Sequence, residues 1–285
     1  MSIQFPRTTV GGVSLPRMIM GTNWLLGYSH TTASAGNFIL RTNGSVEAVS
    51  KIAQAYLDCG IDAVLIPYSG DERCDILFSG LKDAEDKTGK KIVRMVTVNP
   101  DVSDTKEARK KADDLMKEVK GYGVDFTLIF HGAAEQLLDK HTQRIDRISD
   151  YLSMVRDNGM IPGLSAHMPE VIVYADANEY DVETYIQIYN CVGFLMQVEI
   201  EYIHRVIWNA KKPVMTIKSM AAGRVTPFVG LTFSYSTIRE KDMVVCGAFT
   251  PEEAYEDAEI ALAAIERRPP GVPGRPSPDK TAVMK

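Results

Sequence analysis

Short apolar runs alternate with longer segments of helical periodicity along most of the chain. In residues 45–60, apolar positions recur at helical spacing between a capping Ser45 and Gly60, and the run IDAVLIPY after them predicts a buried strand. Seven similar runs predict seven further strands: RMIMG, KIVRMVTVN, VDFTLIFH, MIPGLSAH, VETYIQIYN, KPVMTIKS and MVVCGA. Strands that alternate with helices in this way are typical of a parallel sheet with crossover helices.

Eight such units predict an α/β fold, a (β/α)8 TIM barrel. Val10-Gly11-Gly12-Val13 predicts a tight turn between short strands, and hence an N-terminal β-hairpin. A doubly wound sheet is the rival fold, but it requires a glycine-rich phosphate loop after the first strand, and MGTNWLLG does not supply one. We expect one barrel domain over residues 1–268 and a flexible, Pro-rich tail over 269–285.

Two segments depart from the regular alternation. Residues 22–44 are rich in Gly, Ser, Thr and Asn, and we interpret them as a long loop that covers the pocket as a lid. No helix is assigned between KPVMTIKS and MVVCGA, whereas Thr250 and Pro251 predict the start of a helix after the last strand.

Composition and charge narrow the class of protein. The 285 residues are 45% hydrophobic and 24% charged, with a net charge of -5 and both signs mixed along the chain. No basic block indicates a nucleic-acid partner, and no apolar run is long enough for a membrane span. The four cysteines stand far apart and the N-terminus shows no signal-peptide pattern, so we expect reduced thiols in a cytoplasmic protein.

Polar residues cluster where the predicted strands end. The carboxyl ends of barrel strands carry the chemistry of TIM-barrel enzymes. The residues at those ends are Asn23, Tyr68, Asn99, His131, Ser165, His167, Gln187, Asn190, Lys218 and Gly247. Their convergence predicts a pocket for a small molecule.

Three of these residues are candidate catalytic groups. His131 suits a general acid or base because its ordinary pKa lies near neutrality, and the alternative is a structural histidine at the end of a core strand. Lys218 suits a base, a nucleophile or an anion clamp, unless it pairs with a carboxylate. Tyr68 offers a phenolic proton donor, or is a packed aromatic at the rim. The candidate substrate-binding residues are Asn23, Trp24, Asn99, His167 and Asn190.

The strand ends contain few carboxylates, which argues against a two-carboxylate glycosidase and against a hard-metal site. A zinc site formed by His30, His131 and His167 is geometrically conceivable, but their spacing carries no metal signature, and we expect no metal.

The order and spacing of several motifs resemble the aldo-keto reductase superfamily over most of residues 7–266. The stretch GVDFTLIFHG resembles its fourth strand, which ends in the active-site histidine, and VMTIKSMAAGR resembles its seventh strand and loop. The resemblance implies a nicotinamide cofactor. It implies cofactor-binding roles for Ser165, Gln187, Gly247, Ala248, Phe249 and Thr250. The Gly turn and helix start at 247–250 also suit a bound phosphate, because free N–H groups and the helix dipole favour anions there.

The catalytic tetrad of that family, Asp, Tyr, Lys and His, is only partly present. Leu65 stands where the Asp is expected, Tyr68 lies two residues early, and Val98 and Asn99 stand at the place of the Lys, so only His131 matches. The last helix lacks the basic residue that would hold a 2'-phosphate. NAD is therefore favoured over NADP, if a dinucleotide binds at all.

Three functions stay open at this stage. The favoured one is a divergent oxidoreductase that acts on a small carbonyl or sugar-like compound. The second is a cofactor-independent lyase, aldolase or isomerase that uses His131 and Lys218. The third is a non-catalytic small-molecule binding protein. Each predicts a small-molecule ligand and neither a nucleic acid nor a membrane as partner.

Overall fold

A computed structural model defines the structure of residues 4–272. Its strands are β1 (Arg7–Val10), β2 (Val13–Pro16), β3 (Met18–Gly21), β4 (Ala63–Pro67), β5 (Val93–Val98), β6 (Phe126–Ile129), β7 (Leu138–Asp139), β8 (Arg144–Ile145), β9 (Ile161–Ala166), β10 (Thr184–Ile188), β11 (Val214–Ile217) and β12 (Met243–Cys246). Eight of them, β3, β4, β5, β6, β9, β10, β11 and β12, pair in parallel in this order, and β12 closes onto β3. The fold is the predicted TIM barrel, and the eight strands of the barrel correspond to the eight predicted strands.

Helices lie between the barrel strands and after the last of them. They are α1 (Asn23–Leu26), α2 (Ala33–Asn43), α3 (Val46–Asp58), α4 (Glu72–Thr88), α5 (Lys106–Gly121), α6 (His131–Gln136), α7 (Ile148–Asp157), α8 (Glu170–Ala177), α9 (Ile200–Asn209), α10 (Pro227–Thr237) and α11 (Pro251–Glu266), with a short 3-10 turn at Ala221–Gly223. No helix of the described residues is long and apolar enough to cross a membrane.

The hairpin predicted from the Gly-Gly turn is present as β1–β2, and it fills the bottom of the barrel. Val10 and Leu15 of the hairpin pack in one buried cluster with inward-facing residues of the strands, among them Ile19, Met95 and Phe126. The alternate residues of the same strands, such as Ile129, belong to a second cluster between the barrel and the helices. The inner cluster therefore closes the barrel below and leaves its carboxyl-terminal mouth for a ligand.

The interpretation of residues 22–44 as one long loop is wrong, because α1 and α2 occupy most of this segment. Thr32 caps α2 by accepting a hydrogen bond from the Ala35 N–H at 3.1 Å, and Ile39 buries its apolar face. The segment nevertheless runs beside the mouth, and its role as a lid stays a prediction.

The sequence also missed α10, which lies between β11 and β12. Its apolar residues are spread around the helix, so they lack the one-sided periodicity that marks an amphipathic helix. A side-chain carbon at Gly230 would lie 2.6 Å from the Ser219 carbonyl oxygen, so only glycine allows this helix to pack on the loop after β11.

One strand boundary also differs from the prediction. The strand expected to end at His131 ends at Ile129, and His131 begins α6. Further along the chain, the β7–β8 pair precedes the start of α7 at Ile148, and a turn precedes the start of α9 at Ile200. Of the predicted tail, residues 269–272 are described, whereas 273–285 lie outside the described part of the chain.

Candidate active site

A cavity of about 1460 Å³ opens at the carboxyl-terminal mouth of the barrel. Of the predicted site residues it is lined by Asn23, Trp24, Tyr68, Asn99, His131, Ser165, His167, Lys218 and Gly247. It continues to the start of α11, where Glu253, Glu256 and Asp257 line it as well. One continuous space therefore joins a region of imidazole, amide and ammonium groups to a region of carboxylates.

His131 and His167 lie face to face at one end of this cavity. Their rings stack at a centroid separation of 3.7 Å and an interplanar angle of 16°. The Nδ1 atom of His131 is buried and has no hydrogen-bond partner in the described part of the chain. A buried, unpartnered ring nitrogen is costly to the free protein, and a polar ligand atom would relieve that cost.

The main chain around His167 is held from two neighbouring elements. The N–H groups of His167 and Met168 both donate to Glu135 Oε1, at 2.6 and 2.7 Å. Gln187 Nε2 donates to the His167 carbonyl oxygen at 3.3 Å. Glu135 and Gln187 thus hold the position of the imidazole without lining the cavity themselves.

Burial disfavours the charged form of both imidazoles of the stacked pair. Burial, with smaller contributions from His131, Lys218 and His30, lowers the pKa of His167 to about 3. Burial also lowers the pKa of His131; the Glu135 carboxylate opposes this shift and the Lys218 ammonium reinforces it. A neutral imidazole can donate a hydrogen bond to a developing oxyanion, so this pair suits polarisation of a carbonyl group.

Lys218 follows β11 and contacts His30, which lies between α1 and α2. Its Nζ lies 3.1 Å from His30 Nε2, and Asn23 Nδ2 lies 3.0 Å from the same nitrogen. Lys218 and His30 both have left-handed backbones, with φ of 65° and 55°. Such conformations cost non-glycine residues about 1–3 kcal/mol each and are concentrated at functional sites.

Lys218 has no carboxylate partner within residues 4–272, and burial lowers its pKa. Arg224 likewise lines the cavity without an acidic partner: it donates to the Ala221 carbonyl oxygen at 3.1 Å, and its guanidinium lies 4.1 Å from the centre of the Phe194 ring. Two cations of one cavity that contact no carboxylate within residues 4–272 favour a ligand that carries a negative group near them.

The start of α11 is already engaged by its own side chains. Thr250 Oγ1 accepts a hydrogen bond from the Glu253 N–H at 3.2 Å, and Glu253 Oε2 accepts one from the Phe249 N–H at 2.7 Å. These bonds resemble a capping box, except that the carboxylate accepts from the residue before the cap and not from the cap itself. Two N–H groups at this helix start are therefore engaged by side chains of α11 and its cap.

Asp257 lies one turn further along α11 and is buried. Burial raises its pKa to about 7, and the Cys246 thiol donates to its Oδ2 at 3.3 Å. Within the described residues no group of three or more His, Cys, Asp or Glu side chains is arranged to hold a metal ion.

Several predicted residues have other contacts. The Tyr68 hydroxyl donates to Glu118 Oε1 at 2.5 Å, towards α5, which argues against a proton donor to the ligand. Asn190 is fully buried, and its amide bonds the main chain of its own loop at Val192 and Phe194. Gln187, Asn190, Ala248, Phe249 and Thr250 do not line the cavity.

Trp24 and Gly247 meet at the rim between β3 and β12. A side-chain carbon at Gly247 would lie 3.0 Å from the Gly21 carbonyl oxygen and 3.3 Å from Trp24 Cδ1. Phe249 packs edge-on against Trp24 and stacks on Phe38. These aromatic residues form a wall that connects α2 to the last strand.

Sequence reasoning missed several residues that line the cavity. They are Thr97, Ser219, Arg224, Glu253, Glu256 and Asp257, and His30 was considered only as a zinc ligand. Thr97 precedes Asn99 by two positions, so strand alternation was a signal that could have identified it. His30 is brought to Lys218 only by the folding of residues 22–32, and no local pattern marks that contact.

Several proteins of known structure share this fold, although their sequences differ widely from this one. No protein-family model and no curated protein matches the chain in sequence. In structure it is similar to a Pseudomonas aeruginosa protein assigned to the aldo-keto reductases, with a TM-score of 0.65 and 12% identity over 93% of this chain and 100% of that one. It is also similar to a silkworm (Bombyx mori) aldo-keto reductase, with a TM-score of 0.60 and 12% identity over 97% of each chain.

A third similar structure is a Klebsiella pneumoniae aldo/keto reductase in complex with NADP and acetate. The TM-score is 0.54 and the identity 14%, over 96% of this chain and 99% of that one. The chain therefore has the barrel fold of the aldo-keto reductases at very low sequence identity.

Proposed function

We propose that the protein is a divergent oxidoreductase that binds a nicotinamide dinucleotide and acts on a small, polar carbonyl compound. The main observation in support is the size of the cavity. A volume of about 1460 Å³ exceeds the usual range of about 300–1,000 Å³ for one small ligand, and it would accommodate a cofactor together with a substrate.

The two charged regions of the cavity suit different parts of a dinucleotide. Arg224, which has no acidic partner in the described residues, would hold the phosphates. Glu253 and Glu256 would accept hydrogen bonds from ribose hydroxyls and repel a 2'-phosphate, so we expect NAD rather than NADP. When bound, this cofactor supplies or accepts the hydride of a carbonyl–alcohol conversion.

His131 and Lys218 would act on the substrate oxygen. The neutral His131 imidazole donates a hydrogen bond to the carbonyl oxygen, and its stacking on His167 fixes the ring plane. The Lys218 ammonium delivers a proton to that oxygen as negative charge develops on it. Burial, which lowers the pKa of Lys218, makes this ammonium a better acid near neutral pH.

The groups around these two residues favour a hydroxylated substrate. The hydroxyls of Thr97 and Ser219 are buried at the cavity and have no hydrogen-bond partner within residues 4–272. Asn99 and Ser165 add an amide and a third hydroxyl. We therefore expect a polyhydroxy or sugar-like carbonyl compound.

Titration of the purified protein with NADH and with NADPH, followed by nucleotide fluorescence and calorimetry, tests the proposal. We expect NADH to bind more tightly than NADPH. Arg224→Met should weaken binding of both about tenfold or more, because it removes a charge-assisted contact to phosphate. Arg205→Met, on the outer surface of α9, is the matched control and should bind normally. If neither nucleotide binds the wild-type protein, the proposal is wrong.

A second candidate rests on Lys218 alone. A lysine whose pKa is lowered by burial, with a histidine at 3.1 Å, also suits Schiff-base chemistry in a lyase or aldolase. Borohydride added with a small aldehyde or ketone would then trap the compound on Lys218, and mass spectrometry would find the added mass on that residue. The same treatment of Lys218→Met should leave no such adduct, and an untrapped wild-type protein would exclude this candidate.

A further inference from the structure

We propose that His30 exchanges the proton of Lys218 with bulk water, and that Asn23 holds the His30 ring in the position for this exchange. The inference deepens the proposed function, since it rests on Lys218 as the proton donor to the substrate. It assigns a role to Asn23 and His30, which take no part in the carbonyl polarisation and proton transfer proposed above.

The hydrogen bonds define the state of the imidazole. An ammonium can only donate, so His30 Nε2, 3.1 Å from Lys218 Nζ, carries a lone pair and its ring proton is on Nδ1. The Asn23 amide must then present its NH2 group to the same nitrogen, as its 3.0 Å contact requires. Two donors thus converge on one acceptor and fix the ring.

The charges around the pair favour movement of the proton. Lys218 faces His30, His131 and His167, and His30 faces Lys218 and Arg224, with no carboxylate among these neighbours. Burial and the two cations lower the pKa of His30, and burial lowers that of Lys218. No counter-ion among residues 4–272 holds the proton on either group, and its transfer creates no buried ion pair with these residues.

The relative exposure of the two residues gives the direction of the path. Both residues line the cavity, but Lys218 is half-buried, whereas His30 is exposed to solvent at the rim and its ring is only partly shielded. A Lys218 N–H bond breaks as an Nε2–H bond forms, and the Nδ1–H proton then passes to water. The reverse sequence returns a proton from water to the neutral amine, so Lys218 can be recharged after it has protonated a substrate oxygen.

Exchange of the Lys218 ammonium protons with water, measured by NMR on protein with 15N-labelled lysine and no ligand, tests the proposal. Glutamine at position 30 can accept the same hydrogen bond but cannot transfer a proton at neutral pH. We therefore expect His30→Gln to slow the exchange about tenfold or more, and free imidazole in solution to restore it. Lys51, an exposed residue of α3, is the internal control and should exchange at one rate in both proteins.

Unchanged or faster exchange at Lys218 in a folded His30→Gln protein would overturn the proposal, as would a lack of rescue by imidazole. If His30→Gln does not fold, Lys218→Met provides a second measurement by NMR titration of the His30 ring. Loss of the cation should raise the pKa of His30, and an unchanged titration would mean that the two groups do not interact. Because neither measurement uses a nucleotide, they succeed or fail independently of NADH binding.

Discussion

Asp242 at the bottom of the barrel and Lys218 at its mouth are both charged residues at the ends of neighbouring strands, but only Asp242 has partners of opposite charge. Asp242 is fully buried just before β12, and its two oxygens accept hydrogen bonds from Arg239 and from the Val214 N–H. Lys218, just after β11, contacts His30 and no carboxylate of the described residues.

The same difference extends to other polar groups at the two ends. Arg17, beside Asp242, donates to the carbonyl oxygens of Asp242 and Arg239. At the mouth, Thr97, His131 and Ser219 each bury a polar atom without a partner among residues 4–272. The satisfied network around Asp242 stabilises the fold, and the unsatisfied groups at the mouth are available to a ligand. Substitutions at the two ends should therefore affect different properties.

The largest effect is expected at the bottom. Asp242→Ala should lower the free energy of unfolding by about 3–5 kcal/mol, because it leaves the buried Arg239 guanidinium without its counter-ion. Urea denaturation measures the change. Lys51→Ala, which breaks an exposed pair with Glu47, is the control and should leave the midpoint unchanged. A loss no larger than that of the control would contradict the structural role of Asp242.

At the mouth, His131→Phe should affect turnover and not stability. Phenylalanine keeps a ring against His167 but removes the hydrogen-bond donor, so we expect turnover to fall about 100-fold or more. The melting temperature should change little, because Nδ1 has no partner to lose in the described part of the chain. Turnover is measured as NADH oxidation with the carbonyl compound that the wild-type protein reduces fastest.

His204→Phe is the matched control for that experiment. His204 lies on α9 beside Trp208, outside the cavity, and its replacement should leave turnover unchanged. Full activity in a folded His131→Phe protein would remove His131 from the chemistry.

Two titratable groups at the mouth, His167 and Asp257, should make the stability of the protein depend on pH. The folded pKa of His167 is lowered to about 3, so its contribution to stability is lost as pH falls below the ordinary value of about 6.5. Asp257 has a raised pKa of about 7, so its contribution is lost as pH rises through 7 and regained on acidification. The two groups oppose each other between about pH 4 and pH 7.

A variant that lacks either His167 or Asp257 should show how the remaining group changes stability with pH. Between about pH 7 and pH 4, the melting temperature of His167→Gln should fall less than that of the wild-type protein, and the melting temperature of Asp257→Asn should fall more. Thermal melts in a series of buffers measure both slopes. Parallel slopes in all three proteins would show that these groups titrate normally.

The smallest effect is expected for Thr97→Val. The Thr97 hydroxyl is buried and has no partner within the described residues, so an apolar group of the same shape should leave the ligand-free protein equally stable or stabilise it by up to about 1 kcal/mol. A destabilised variant would indicate that the hydroxyl has a partner in the free protein.

Strand alternation accounts for part of the candidate site. In β5 and β9 the residues that face the barrel interior recur at every second position, and the same parity places Asn99 and His167 at the cavity. It also explains two residues whose polar groups are engaged elsewhere: Tyr68 and Gln187 have the opposite parity, and they contact Glu118 and the His167 carbonyl oxygen.

His131 and Lys218 break this rule. In β6, Phe126 and Leu128 face inward, so His131 would face the helices if the strand continued. Instead the chain turns into α6 after Phe130, and it takes a left-handed conformation at Lys218 after β11. Both side chains reach the cavity because the backbone stops being a strand just before them.

Local patterns in the chain were enough to predict the barrel, the order of its strands and the hairpin below it, because apolar alternation and glycine turns act over a few residues. Which polar groups share the cavity depends instead on long-range packing. The contact of His30 with Lys218, for example, spans 188 positions. Such pairings depend on how distant segments pack, which no local periodicity encodes.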